Sequence, residues 1–131
     1  MQSFAIELFL TTMKSYSELD VYKKAHKLAV VIHDITGLYD DDEEYESLVA
    51  ELRSVSRAVV ARISDAWTHR KFMSNIEIHL GKAIAEINVT IELLKKARDC
   101  DIIPERRYKN KLAEYLEIQH DLNDVMEKGT F

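Results

Sequence analysis

Only four positions in the 131-residue chain break regular backbone: Gly37, Gly81, Gly129 and Pro104. Sheet-rich folds need many tight turns, and phosphate-cradling loops need clustered Gly. A β-sandwich, a Rossmann unit and a phosphate loop are therefore excluded. The long uninterrupted stretches must be helix. Hydrophobic residues make up 47% and charged residues 31%, enough apolar matter for one core in one domain.

Apolar spacing marks four helices. Between Glu18 and Tyr39, residues Val21, Ala25, Leu28, Ile32, Ile35 and Tyr39 recur at steps of four and three. That spacing puts them on one face, and Lys23, Lys24, Lys27 and Asp34 fall off it. A second helix is expected over Asp42–His69, with Tyr45, Leu48, Leu52, Val55, Val59, Ile63 and Ala66 as its stripe. Val49, Ser56, Val60 and Trp67 lie on the flank, so the apolar sector is wider than one bundle core needs. A second contact surface follows, filled by a long N-terminal segment or by another subunit. Candidate subunit-contact residues are Val49, Ser56, Val60, Trp67, Met73 and Ile84.

The third helix is expected over Lys71–Asp99, with Phe72, Ile76, Leu80, Ala83, Ile87, Ile91 and Leu94 on its seam. Gly81 inside it costs about 1 kcal/mol against Ala, and a close helix crossing is a reason to keep it. Pro104 suits the first position of a fourth helix running to Met126, with Tyr108, Leu112, Tyr115, Gln119, Leu122 and Met126 inward. Short links force antiparallel neighbours. The expected architecture is all-α, an antiparallel up-down-up-down four-helix bundle over residues 18–128, preceded by an extension, residues 1–17. The opening MQSFAIELFLTT lacks Lys and Arg and is too short for a membrane span. It is either an artefact ahead of a start at Met13, or an amphipathic extension in which Phe4, Leu8 and Phe9 share a face.

Chemical sites find little support. A di-iron bundle needs Glu-x-x-His on two helices, but only Glu117 and His120 have that spacing, and both lie off the fourth seam. The acidic run Asp40–Glu44 is not followed by the Gly that a calcium loop needs. His26 and His33 share a face two turns apart, too distant to chelate one ion, so a surface or subunit contact suits them. Ser54, Ser56, Ser64 and Cys100 have no base that the sequence places nearby. No catalytic residue, cofactor or metal is expected. The single cysteine forbids an internal disulfide and fits a reducing cytoplasm; no membrane partner is expected.

Charge is distributed unevenly. The net charge is −5, which argues against general attraction to nucleic acid. Yet Asp40–Glu51 holds seven acids and no Lys or Arg, whereas Arg53–Lys71 holds five bases against one acid, Asp65. Arg53, Arg57, Arg62, Arg70 and Lys71 are candidate contacts to an RNA or DNA backbone. The alternative is ion pairing between helices and between subunits. Trp67 and Phe72 are the aromatic candidates for base stacking beside them.

The run Leu19-Asp-Val-Tyr-Lys-Lys-Ala-His-Lys-Leu-Ala29 resembles the first helix of the bacterial 23S rRNA intervening-sequence proteins. Leu52-Arg53, Val59, Ala61, Ile63 and Asp65 resemble that family's second-helix motif, and Phe72, Ile76, Ile78 and Gly81 its third. Glu86, Ile91, Glu92, Leu93, Ile102-Ile103 and Tyr108 follow in order. The motif's second Arg is Ser54 here, its Pro is Val60, its Asn is Arg62, and its Glu-Gly is Asp65-Ala66. Val and Ala in place of Pro and Gly make the second helix more continuous. The resemblance implies a bundle that closes into a homopentameric ring. It is similar, more distantly, to accessory proteins of diversity-generating retroelements, which bind a reverse transcriptase and nucleic acid. Those are basic, whereas this chain is acidic. The expected role is a non-enzymatic, homo-oligomeric interaction protein; the alternative is a nucleic-acid-binding accessory subunit to a reverse transcriptase or RNA-processing partner.

Overall fold

The computed structural model describes residues 15–131, so the expectations for MQSFAIELFLTT lie outside the described residues. Four helices follow in order: α1 Asp20–Thr36, α2 Glu46–Thr68, α3 Met73–Asp99 and α4 Glu105–Lys128. No strand occurs among the described residues. Each helix packs on its chain neighbours, and α4 closes the cycle against α1. The links are short, so the helices alternate in direction: the up-down-up-down bundle.

The core is the inward stripes brought face to face. Leu28 and Ile32 of α1, Leu52, Val59 and Ile63 of α2, Leu80, Ile87 and Leu94 of α3, and Tyr115, Ile118 and Leu122 of α4 are essentially closed to solvent. Each such aliphatic side chain contributes roughly 1.5–3 kcal/mol of burial free energy. The seam of α4 is phased differently from its sequence reading. Ile118 is buried, while Gln119 sits at the rim and donates from Nε2 to Asn88 Oδ1 at 2.8 Å. Tyr115 is fully enclosed, and its hydroxyl has no hydrogen-bond partner among the described residues.

The helix ends have local causes. α1 stops at Thr36, and Gly37–Tyr39 continues as one turn of 3-10 helix, so the first helix is shorter than its periodicity suggested. The acidic run does not open α2. Asp42 Oδ1 accepts from the Glu44 amide at 3.0 Å and holds that stretch as a turn. Phe72 caps α3 in extended backbone and is largely exposed rather than on the seam. Pro104 likewise precedes α4 as its N-cap, and Glu105 is the first helical residue. At the end of α3 the amides of Ile102 and Asp101 donate to the carbonyls of Ala97 and Arg98, at 2.9 and 3.0 Å. Those two bonds make a Schellman cap, whose left-handed position is filled by Asp101 at φ 61° instead of the usual Gly. Gly81 is not at a close crossing: a Cβ built there meets nothing within 4 Å.

Candidate interaction surface: the outer face of α2 and its two grooves

The structure disperses the five predicted nucleic-acid contacts. Arg53 is folded inward over the end of α1. Its Nε donates to Thr36 Oγ1 at 2.8 Å, its Nη2 to the His33 carbonyl at 3.2 Å, and its Nη1 meets Asp40 at 2.7 Å. Thr36 Oγ1 in turn donates to the Ile32 carbonyl at 2.8 Å. Arg53 therefore satisfies carbonyls that the helix terminus leaves open. Arg62 faces Glu86 across the α2–α3 seam, with Nε at 3.6 Å from Oε1. Arg70 lies over the Trp67 ring at 3.7 Å and donates to the Trp67 carbonyl at 2.8 Å. Arg57 and Lys71 remain exposed, Lys71 beside the Phe72 ring at 5.9 Å, and neither has an ion pair among the described residues.

The six candidate subunit-contact residues also divide. Val49, Ser56 and Trp67 are buried within the chain, so they do not present a surface to a second copy in this conformation. Ser56 turns back to donate to the Arg53 carbonyl at 3.0 Å, and Trp67 packs edge-on against Phe131 at 5.5 Å. Val60 and Ile84 are half-buried, and Met73 is exposed. The flank that looked like surplus apolar surface is partly consumed by the chain's own packing.

What faces outward on α2 is different. Ser47, Ala50, Ser54, Ala58 and Ala61 follow one another at helical spacing, none carrying a long side chain. A groove runs on each side of this strip. Toward α3 it encloses about 470 Å³ between Ala50, Ser54, Val55 and Ala58 on one wall and Val89 and Leu93 on the other, with Glu51 and Glu86 at its edges. It continues toward Ser47, Leu48, Lys96 and the exposed thiol of Cys100. Toward α1 a groove of about 380 Å³ is walled by Ala29, Val30, His33, Val60, Ala61 and Ser64, with Arg57 beside it.

The α1 groove holds the residues that sequence reasoning missed. Tyr16 and Tyr22 pack at 4.9 Å between ring centroids, and Tyr22 stacks on His26 at 6.0 Å and 17°. His26 and His33 both line it, as their shared face implied. The run Tyr22, His26, Val30, His33, at steps of four, four and three, puts all four on one face and is readable in the sequence. That Arg57 stands opposite was not, because nothing local to α1 sets the register of α2.

Chemical readings gain no geometry. Glu117 pairs with Lys24 at 2.8 Å and His120 faces Asp124 at 3.7 Å. Among the described residues no three His, Cys, Asp or Glu side chains are grouped to hold a metal, and no helix is long and apolar enough to cross a membrane.

Comparison with known proteins gives one match. The sequence model of the family described as 23S rRNA-intervening sequence protein matches residues 17–124, which takes in all of α1, α2 and α3 and most of α4. No curated protein and no solved structure matches the chain.

Proposed function

We propose, from the premise that the chain belongs to the 23S rRNA-intervening sequence protein family, that it is a non-enzymatic interaction protein that closes into a homo-oligomeric ring, a pentamer. The observation that carries this reading is the outer strip of α2. Five small residues in line beside the apolar wall of Val89 and Leu93 let a second helix approach closely over a face with little charge. A heterologous contact through such a strip generates a ring when its rotation closes. The single exposed thiol suits a reducing, cytoplasmic setting.

Light scattering at micromolar protein tests it. The wild-type chain is expected as one oligomer, and Ala58→Arg, which puts a long cation on the strip, as a monomer of unchanged helicity. A monomeric wild-type chain overturns the reading.

A nucleic-acid accessory role draws its support from Arg57 beside the aromatic Tyr16, Tyr22 and His26. Arg53, Arg62 and Arg70 are engaged within the chain, so this second reading rests on fewer free cations than the sequence offered. Failure to retard any RNA at about 50 mM salt, where phosphate contacts are strong, excludes it.

A further inference from the structure

The groove between α1 and α2 is apolar in its middle, where Val30 and Val60 face each other, and aromatic at its mouth, where Tyr16 and Tyr22 meet. Val30 is 46% exposed although it stands between two helices. The 3-10 turn Tyr16–Glu18 packs on both α1 and α2, so the chain has crossed from the start of α1 toward α2 by the time Ser15 is reached. Whatever precedes Ser15 therefore starts at the mouth of this groove.

We propose that residues 1–14 of the same chain are the occupant of the α1–α2 groove. Their chemistry matches its walls. Phe4, Leu8 and Phe9 share a face at helical spacing, and Glu7 is the one charged residue before Lys14. Wound as a helix, the segment is about 21 Å long, close to the roughly 17 Å of α1 between Tyr22 and His33; fully extended it would overrun the groove at about 46 Å. Glu7 is the segment's one carboxylate, and Arg57 beside the groove has no ion pair among the described residues. The assignment differs from the ring, which uses the strip from Ser47 to Ala58 and the groove toward α3; Ala61 borders both surfaces.

The test keeps the full chain and moves its cysteine. In a Cys100→Ser background, Leu8→Cys and Ala61→Cys are joined by a short bismaleimide in dilute protein. An internally linked monomer is expected, formed about tenfold faster than from Leu8→Cys paired with Asn123→Cys on the exposed side of α4, as high effective concentration of a tethered segment requires. Equal rates at the two positions overturn the proposal. So does a covalent dimer that disappears on dilution, because the segment would then belong to a second copy. If Ala61→Cys lowers helicity by circular dichroism, Val30→Cys on the facing wall replaces it, with the same two outcomes.

Discussion

The seam between α2 and α3 and the seam between α1 and α4 close the same bundle by different means. The α2–α3 contact is the most extensive in the molecule. It brings Leu52, Val59, Ile63 and Ala66 to the side of Ile76, Leu80, Ala83 and Ile87, nearly all without solvent access. The α1–α4 contact is the thinnest of the four, and Lys24 bridges it by reaching Glu117 at 2.8 Å and Asp121 at 3.4 Å. Apolar burial scales with area and is indifferent to salt, whereas exposed ion pairs contribute little and are screened. The difference explains the surface beside each seam. A contact held by its interior leaves room beside it for a strip of small residues, as at Ser47–Ala61 of α2, with only Arg62 and Glu86, among the described residues, pairing across the seam at 3.6 Å. A contact held at its rim must keep its rim charged.

The largest test of this contrast is Leu80→Ala. Leu80 is fully buried in α3. Removing its side chain should cost about 3 kcal/mol, from lost transfer energy plus the cavity left behind. Urea unfolding should show a lower midpoint with an unchanged slope, and the loss should be the same at low and high salt. A loss under about 1 kcal/mol would mean that the α2–α3 seam is not where stability resides.

Arg53 and Arg57 sharpen the contrast within a single helix. They are one turn apart on α2, yet Arg53 is held by Thr36, His33 and Asp40 while Arg57 stands beside the open groove. Arg53→Ala should cost about 1.5 kcal/mol, because the buried Thr36 hydroxyl and the His33 carbonyl of α1 lose a charged donor. Arg57→Ala should lie within about 0.5 kcal/mol of wild type, as surface substitutions do. Thermal unfolding of the two single variants decides it; equal losses would contradict the inward placement of Arg53.

The bundle was legible because burial and periodicity are local quantities. Every helix was found, and Leu28, Leu52, Leu80 and Leu122 sat on the inward stripes that their spacing indicated. Errors arose where two phases were compatible with one pattern. A step of four from Tyr115 selects Gln119, a step of three selects Ile118, and only the facing helix decides between them. The interaction surface was less legible for a related reason. Val49, Ser56 and Trp67 look outward on a helical wheel, but neighbouring elements cover them. Phe131, far away in sequence, is what covers Trp67. Charge counts along α2 could not show which bases are already paired, because the partners come from elsewhere in the chain: Asp40 in the turn before α2 for Arg53, and Glu86 on α3 for Arg62.

The smallest expected effect falls on the ionic seam. Lys24→Met removes the bridge between α1 and α4 while keeping the apolar stem. With both partners substantially exposed, the loss should be about 0.5 kcal/mol at low salt and vanish near 1 M salt, where the screening length is about 3 Å. Alkaline pH offers a second readout. The Glu117 hydrogen bond, with the Glu117 and Asp121 charges and against some burial, holds the Lys24 ammonium above its ordinary value of 10.5. A raised amine stabilises the fold below that value and ceases to do so as pH climbs through its folded pKa. Burial, with the charge of Glu114 adding to it, also raises the Tyr115 hydroxyl above 10.0. The unfolded chain therefore releases that proton first, and stability begins to fall from about pH 10 for a reason unrelated to the seam. Lys24→Met in a Tyr115→Phe background separates the two. The Tyr115→Phe chain should lose more stability above pH 10.5 than the double variant, whose remaining loss includes that from Tyr45, a hydroxyl the Glu44 charge also holds above 10.0. A double variant that loses as much as Tyr115→Phe alone would show that the α1–α4 seam does not depend on the charge of Lys24.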